Sequence, residues 1–170
     1  MALRPGRTER TKKRPYTRVS KRVPKKSYAV GVPASKIHIF ETGKKGDYDT
    51  ILFLVSKRGL QMRSNSLEAA RIVATKFLTT KLGENFFFKV LLYPHNVIRK
   101  KPIATGAGAD RYSRGMKLAF GKPSGVGVHV KKGQRIIKLM IKKKDVEVGK
   151  KALKKAGLKL ATPIKIEVKQ

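Results

Sequence analysis

The side chains able to do covalent or metal chemistry are few in this chain, and their spacing does not suit it. His38, His95 and His129 stand singly in unrelated segments, without the spacing of metal ligands. The acid pairs Asp47/Asp49 and Asp145/Glu147 fall in an expected turn and at an expected helix start. Turn formation and the helix dipole account for them without general acid–base work. With no cysteine, disulfides, thiolate metal sites and thiol nucleophiles are excluded. Two glycine runs look like nucleotide loops and fail on spacing. GAGADR at 106–111 lacks the third glycine of a dinucleotide fingerprint, and no buried strand leads directly into it. In GMKLAFGKP at 115–123 the first glycine lies one residue too far back. Pro123 also stands where a phosphate loop needs a hydroxyl for magnesium. No catalytic residue, metal or cofactor is expected.

What remains is charge. The 170 residues hold 42 Lys+Arg against 10 Asp+Glu, a formal net charge of +32. Self-repulsion on that scale makes physical sense beside a polyanion, and nucleic acid is the leading candidate. A membrane-surface protein would show an amphipathic basic helix or a lipidation site. No apolar run approaches the length of a membrane span, and the N-terminus lacks the apolar stretch of a signal peptide, so a soluble intracellular protein is expected. The charge concentrates in two places. Residues 1–26 carry Arg4, Arg7, Arg10, Lys12, Lys13, Arg14, Arg18, Lys21, Arg22, Lys25 and Lys26 against Glu9, interrupted by Pro5, Pro15 and Pro24. Such a segment has almost nothing to bury and reads as an extended basic arm that orders on phosphates, with Tyr16 able to stack on a base or sugar. The second is residues 97–170, with 21 basic residues against four acidic, and within it 104–125, ATGAGADRYSRGMKLAFGKPSG, sets glycines at 106, 108, 115, 121 and 125 among Arg111, Arg114, Lys117 and Lys122. Glycine there permits close backbone approach to another molecule, which suits surface contact better than core.

This second run also carries a family resemblance. ADRYSRGMKLAFGKPSG at 109–125 resembles the signature of a universal large-subunit ribosomal protein family, called L-ten-e in Archaea and eukaryotes and L-sixteen in bacteria, and is most like the archaeal form. RPYTR (14–18), NSLEAAR (65–71), YPH (93–95) and ATGAGADR (104–111) are also similar to it, so the resemblance spans nearly the whole chain. Lys117 stands where arginine is commoner, and Val128-His129-Val130 replaces an Ala-Arg-Val triplet. The resemblance implies an α/β-hammerhead type of fold and a place in the large subunit near 5S rRNA. It also implies that the loop at about 100–114 reaches toward A- and P-site tRNA through Lys100, Lys101, Thr105, Gly106, Gly108, Arg111 and Arg114.

The elements that must position these residues follow from periodicity. Ile37–Phe40 reads as a strand, GKKGDYD at 43–49 as a turn, and TILFLVS at 50–56 as a buried strand. Ser64, Asn65 and Ser66 offer helix N-caps before Leu67, Ala70, Val73 or Ala74, Phe77 and Leu78 at helical spacing, with Gly83 closing the helix. Phe86–Leu92 reads as a strand. Val126–Val130 and Gln134–Ile141 read as a hairpin about Lys131-Lys132-Gly133. Asp145–Ala156 reads as a second helix, with Val148, Ala152, Leu153 and Ala156 inward and Lys150, Lys151, Lys154 and Lys155 toward solvent. Ile164–Val168 is a last strand alternating with Lys165, Glu167 and Lys169.

The expected architecture is α+β: an antiparallel or mixed sheet with two main helices on one side, residues 27–170 forming a single domain behind the arm. The expected function is that of a structural, non-enzymatic constituent of the large ribosomal subunit, in cytoplasmic ribosomes. Its expected partners are 23S-type rRNA, 5S rRNA, A/P-site tRNA and neighbouring ribosomal proteins, and no membrane. The rRNA contacts are assigned to the arm (with Tyr16), Lys117, Lys122 and Lys150, Lys151, Lys154 and Lys155. A basic RNA chaperone or DNA-compacting protein is the first alternative, favoured by equal binding of naked duplex DNA. An RNA-modifying enzyme is the second, favoured by turnover on an RNA substrate.

Overall fold

The TILFLVS strand is interior to its sheet, with a strand on either side, and it is apolar on both faces. The computed structural model describes residues 30–100, 106–108 and 121–169. In chain order the elements are β1 (Glu41–Gly43), β2 (Thr50–Ser56), β3 (Leu60–Arg63), α1 (Ser64–Leu82), β4 (Phe87–Val90), β5 (Asn96–Lys100), β6 (Lys122–Val130), β7 (Arg135–Ile141), a 3-10 turn (Lys143–Asp145), α2 (Val146–Gly157) and β8 (Ile164–Lys169). Five strands form one sheet in the order β1-β4-β7-β2-β8, and three form a second in the order β3-β6-β5. All pairings are antiparallel.

A strand presents alternate residues to opposite faces, and the register shows which face is which. Leu52 and Leu54 of β2 stand opposite Leu139 and Ile137 of β7, which pair in turn with Phe88 and Val90 of β4. All six are buried in the main core, together with Leu67, Ala70, Ala74 and Leu78 of α1, Ala152, Leu153 and Ala156 of α2, and Met62, Val128 and Val130 of the smaller sheet. Both helices and the second sheet therefore close this side of the large sheet. Helix α2 comes close because it presents a glycine. A Cβ at Gly149 would meet Ile141 Cδ1 at 2.5 Å and Leu52 Cδ1 at 2.6 Å.

Several expectations need correction. Residues 37–40 are not a strand; pairing begins at Glu41, although Phe40 still accepts a hydrogen bond from Val90 N–H at 2.8 Å. Helix α1 begins at Ser64, with Arg63 at the cap and no side-chain capping bond, so the three polar residues lie inside its first turn. Gly83 closes it as expected, at φ 60°, donating to Thr79 O at 3.0 Å. On α1, Ala74 rather than Val73 is buried and Phe77 is half-buried, and on α2 Val148 is half-buried. Strands β3 and β5 are additions to the elements expected from periodicity.

The largest correction concerns the hairpin. The KKG turn exists: Gly133 has φ 79°, and Gln134 N–H donates to Lys131 O at 3.2 Å. Yet β6 pairs with β3 and β5, whereas β7 pairs with β2 and β4. The turn is stitched to the end of β2, where Gly133 N–H donates to Ser56 O at 2.8 Å and Ser56 N–H to Gln134 O at 3.0 Å. β2 thus recruits β7, and the chain crosses between sheets where a hairpin would have doubled back. The fold class is nevertheless α+β, with two helices and two antiparallel sheets.

Candidate nucleic-acid interface

Helix α2 is amphipathic because its small residues recur on one side. Gly149, Ala152, Leu153, Ala156 and Gly157 are buried, which leaves the lysines to the other side. The four lysines assigned there prove unequal. Lys151 and Lys154 are exposed, and their side chains enter no hydrogen bond or ion pair among the described residues. Lys150 is half-buried and donates to Glu147 Oε1 at 3.0 Å. That hydrogen bond from Lys150 holds the Glu147 carboxyl below the usual carboxylate range. Lys155 leans back over α1, its Nζ 3.8 Å from the centroid of Phe77. A cation over an aromatic face is attracted by the ring's quadrupole, so Lys155 joins the two helices as well as charging the surface. Lys154 and Lys155 also fall in the last turn, where positive charge complements the helix dipole.

The glycine-rich run connects β5 to β6, so the smaller sheet sets where it emerges. Lys100 and Lys122, twenty-two residues apart, are register partners at that end of the sheet. Two sequence-assigned lysines thus meet where the loop leaves the sheet. Gly106 and Gly108 are exposed, with φ 109° and 77° and nothing within 4 Å of an added Cβ. Both hold a backbone conformation that L side chains rarely adopt. Lys101, Thr105, Arg111, Arg114 and Lys117, and the arm residues Arg4, Arg7, Arg10, Lys12, Lys13, Arg14, Tyr16, Arg18, Lys21 and Arg22, lie outside the described residues.

The side of the large sheet away from the helices holds a set of cations that sequence reasoning passed over. One row across it runs Glu41, Lys89, Lys138, Phe53, Glu167, in register on β1, β4, β7, β2 and β8. Lys165 and Lys169 of β8 flank Glu167 on the same side, opposite Val55 and Ile51. The Arg135 guanidinium carbon stands 4.1 Å from the centroid of Phe53, and Lys45 Nζ stands 5.7 Å from that of Phe87. Glu41 accepts from Lys89 at 2.6 Å and pairs with Lys45 at 3.0 Å. The Lys89 hydrogen bond, then that of Lys45, keeps its carboxyl below the usual range. The available signal was the alternation of Lys165, Glu167 and Lys169, together with a lone lysine inside RIIKLMI.

Among the described residues, no group of three or more His, Asp or Glu is placed to hold a metal ion. His95 is exposed and its Nδ1 turns back to Tyr93 O at 3.0 Å, a contact local to the strand end. His129 sits on β6 opposite Gln61. Asn96 is fully buried at the start of β5, and neither atom of its amide finds a partner among the described residues. No described helix is long and apolar enough to cross a membrane.

A strongly basic α+β chain of this kind has the profile of a ribosomal protein, and comparison with known proteins agrees. The family described as Ribosomal protein L16p/L10e matches residues 11–167. The chain is 41% identical to the large ribosomal subunit protein uL16 of Archaeoglobus fulgidus, over 100% of its own length and 95% of the relative's. It is 43% identical to the uL16 of Sulfolobus acidocaldarius, covering 99% and 94%, and 40% identical to that of Methanococcus aeolicus, covering 99% and 95%. The chain belongs to the L16p/L10e family and is a structural component of the large ribosomal subunit, a non-enzymatic protein of translation.

Proposed function

We propose that the protein binds 23S-type rRNA close to 5S rRNA and to the A and P sites, and there helps to position tRNA. Residues 1–26 act as a basic arm laid along rRNA phosphates, and residues 27–170 act as one domain that fixes where the remaining charges stand. Lys151 and Lys154, with Lys150 and Lys155 beside them, meet rRNA from α2. Lys117 and Lys122 meet it from the base of the glycine-rich run. The loop at about 100–114 faces tRNA, and neighbouring ribosomal proteins and 5S rRNA complete the surroundings, in cytoplasmic ribosomes.

The observations that carry the tRNA assignment are the register pairing of Lys100 with Lys122 and the exposed, positive-φ Gly106 and Gly108 in the run between them. A run that starts and ends on paired cations, with glycines open to approach among its described residues, suits contact with a second polyanion more than core formation. The test deletes 104–112 and compares subunit occupancy with tRNA binding. Occupancy near wild type with weakened tRNA binding is the expected result. Collapsed occupancy, with normal tRNA binding by the subunits that do form, would make the loop an assembly anchor instead.

A further inference from the structure

We propose that the open face of the five-stranded sheet is a second RNA-binding surface, back to back with the α2 side, so that the protein sits between two rRNA segments. The proposal rests on the rRNA reading above and adds to it a surface and a geometry. Six cations stand on this face, Lys45, Lys89, Arg135, Lys138, Lys165 and Lys169, against Glu41 and Glu167. Glu41 takes up Lys89 and Lys45, and Glu167 lies 3.5 Å from Lys165. Among the described residues, no ion pair takes up Arg135, Lys138 or Lys169. Lys138 stands directly opposite Lys89 on the next strand, and because Glu41 is bonded to Lys89, Lys138 is left facing a like charge with no ion-pair partner of its own among the described residues.

The chemistry of the face selects the occupant. Phe53 and Phe87 are only 7% and 8% exposed, because Arg135 and Lys45 lie over them. Stacked bases would need those rings uncovered, so the face does not suit single-stranded RNA read by stacking. Cations set on adjacent strands about 4.8 Å apart, above a rigid apolar floor, suit the phosphates of an RNA helix, which is recognised by backbone and shape. The helices and the smaller sheet all pack on the Leu52 side, so α2 and the open face point in opposite directions.

The absence of native cysteine allows a direct test in assembled subunits. An iron chelate is tethered to Lys165→Cys on the sheet face, where the side chain is 63% exposed, or to Lys151→Cys on α2. Each variant is incorporated and the sites of rRNA strand cleavage are mapped. Cleavage from both positions, in separate rRNA segments, is expected. Cleavage from 151 with none from 165 would overturn the second surface and leave the rRNA reading standing. Silence from both, in subunits that contain the protein, would overturn both. A solution measurement covers variants that fail to assemble: full-length protein with Lys89, Lys138, Lys165 and Lys169 all changed to Gln, binding protein-free 23S-type rRNA. The slope of log affinity against log salt should become shallower by about 0.9 for each duplex phosphate that is no longer neutralised. An unchanged slope, beside a shallower one for Lys151→Gln with Lys154→Gln, would overturn the sheet surface alone. No salt-dependent binding by the unaltered protein would remove the rRNA reading itself.

Discussion

The two sides of β2 are covered by different chemistry. Leu52 and Leu54 look into a closed apolar core where a glycine lets α2 lie almost against the sheet. Phe53 and Val55, one residue away in each case, look out on the other side, where Arg135 lies over Phe53 and Lys165 is the register partner of Val55. Both sides are buried, at 0% exposure for the leucines and 7% and 4% for Phe53 and Val55. Burial alone does not distinguish them; the chemistry of what covers them does. The helix side is finished by the protein's own packing, whereas the other is covered by long flexible cations whose charge is left over. The first side is sealed by apolar packing, and the second displays six cations against two acids.

The sharpest way to break that contrast is to truncate one aromatic on each side. Phe88→Ala removes a fully buried ring from the core and should cost about 3–5 kcal/mol. Phe53→Ala should cost clearly less, because flexible side chains can collapse into the space. Urea unfolding of the two variants decides it, and equal losses would mean the outer face is packed as rigidly as the core. Next in size is Gly149→Ala, whose new methyl would meet Ile141 and Leu52. Overpacking of this kind costs about 1–3 kcal/mol and should lower Tm by several degrees, with little effect on RNA affinity.

Smaller effects sharpen the comparison between lysines of one helix. Lys155→Gln should lose about 0.5–1 kcal/mol through its contact with Phe77. Lys151→Gln should stay within about 0.5 kcal/mol of wild type in the free protein. Thermal denaturation at matched ionic strength separates them, and a quadruple lysine variant of α2 is accordingly not neutral for folding. The smallest effect is electrostatic. Glu41 has its carboxyl depressed in the folded state by the hydrogen bonds from Lys89 and Lys45. Its contribution is therefore present above the ordinary carboxylate range and is lost as pH falls through the depressed value. Stability curves for wild type and Glu41→Gln should differ slightly at neutral pH and converge on acidification; parallel curves would show that these pairs contribute nothing.

Much of this protein was determined by the sequence alone. Net charge, the absence of cysteine and the failed nucleotide-loop spacings excluded most chemistry, and the 109–125 signature indicated the family. Local periodicity located β2, α1, β4, β7, α2 and β8 to within a few residues, because each has a continuous apolar stripe of one period. Short or interrupted strands were another matter. LQMR and NVIRK give too few alternations to register, and Ile37–Phe40 had the composition of a strand but joins the sheet only at its last residue, where Phe40 O accepts from Val90 N–H. Only the tertiary structure decided that the strands on either side of the KKG turn part into different sheets. A turn specifies where the chain bends, whereas sheet partners are chosen by burial against elements distant in sequence. The same cause separated the lysines. Spacing puts Lys150, Lys151, Lys154 and Lys155 toward one side of a helix, but Phe77, more than seventy residues earlier, determines which of them is folded back. The cations of the open sheet face are scattered from Lys45 to Lys169, so no window of sequence holds them together; strand register does.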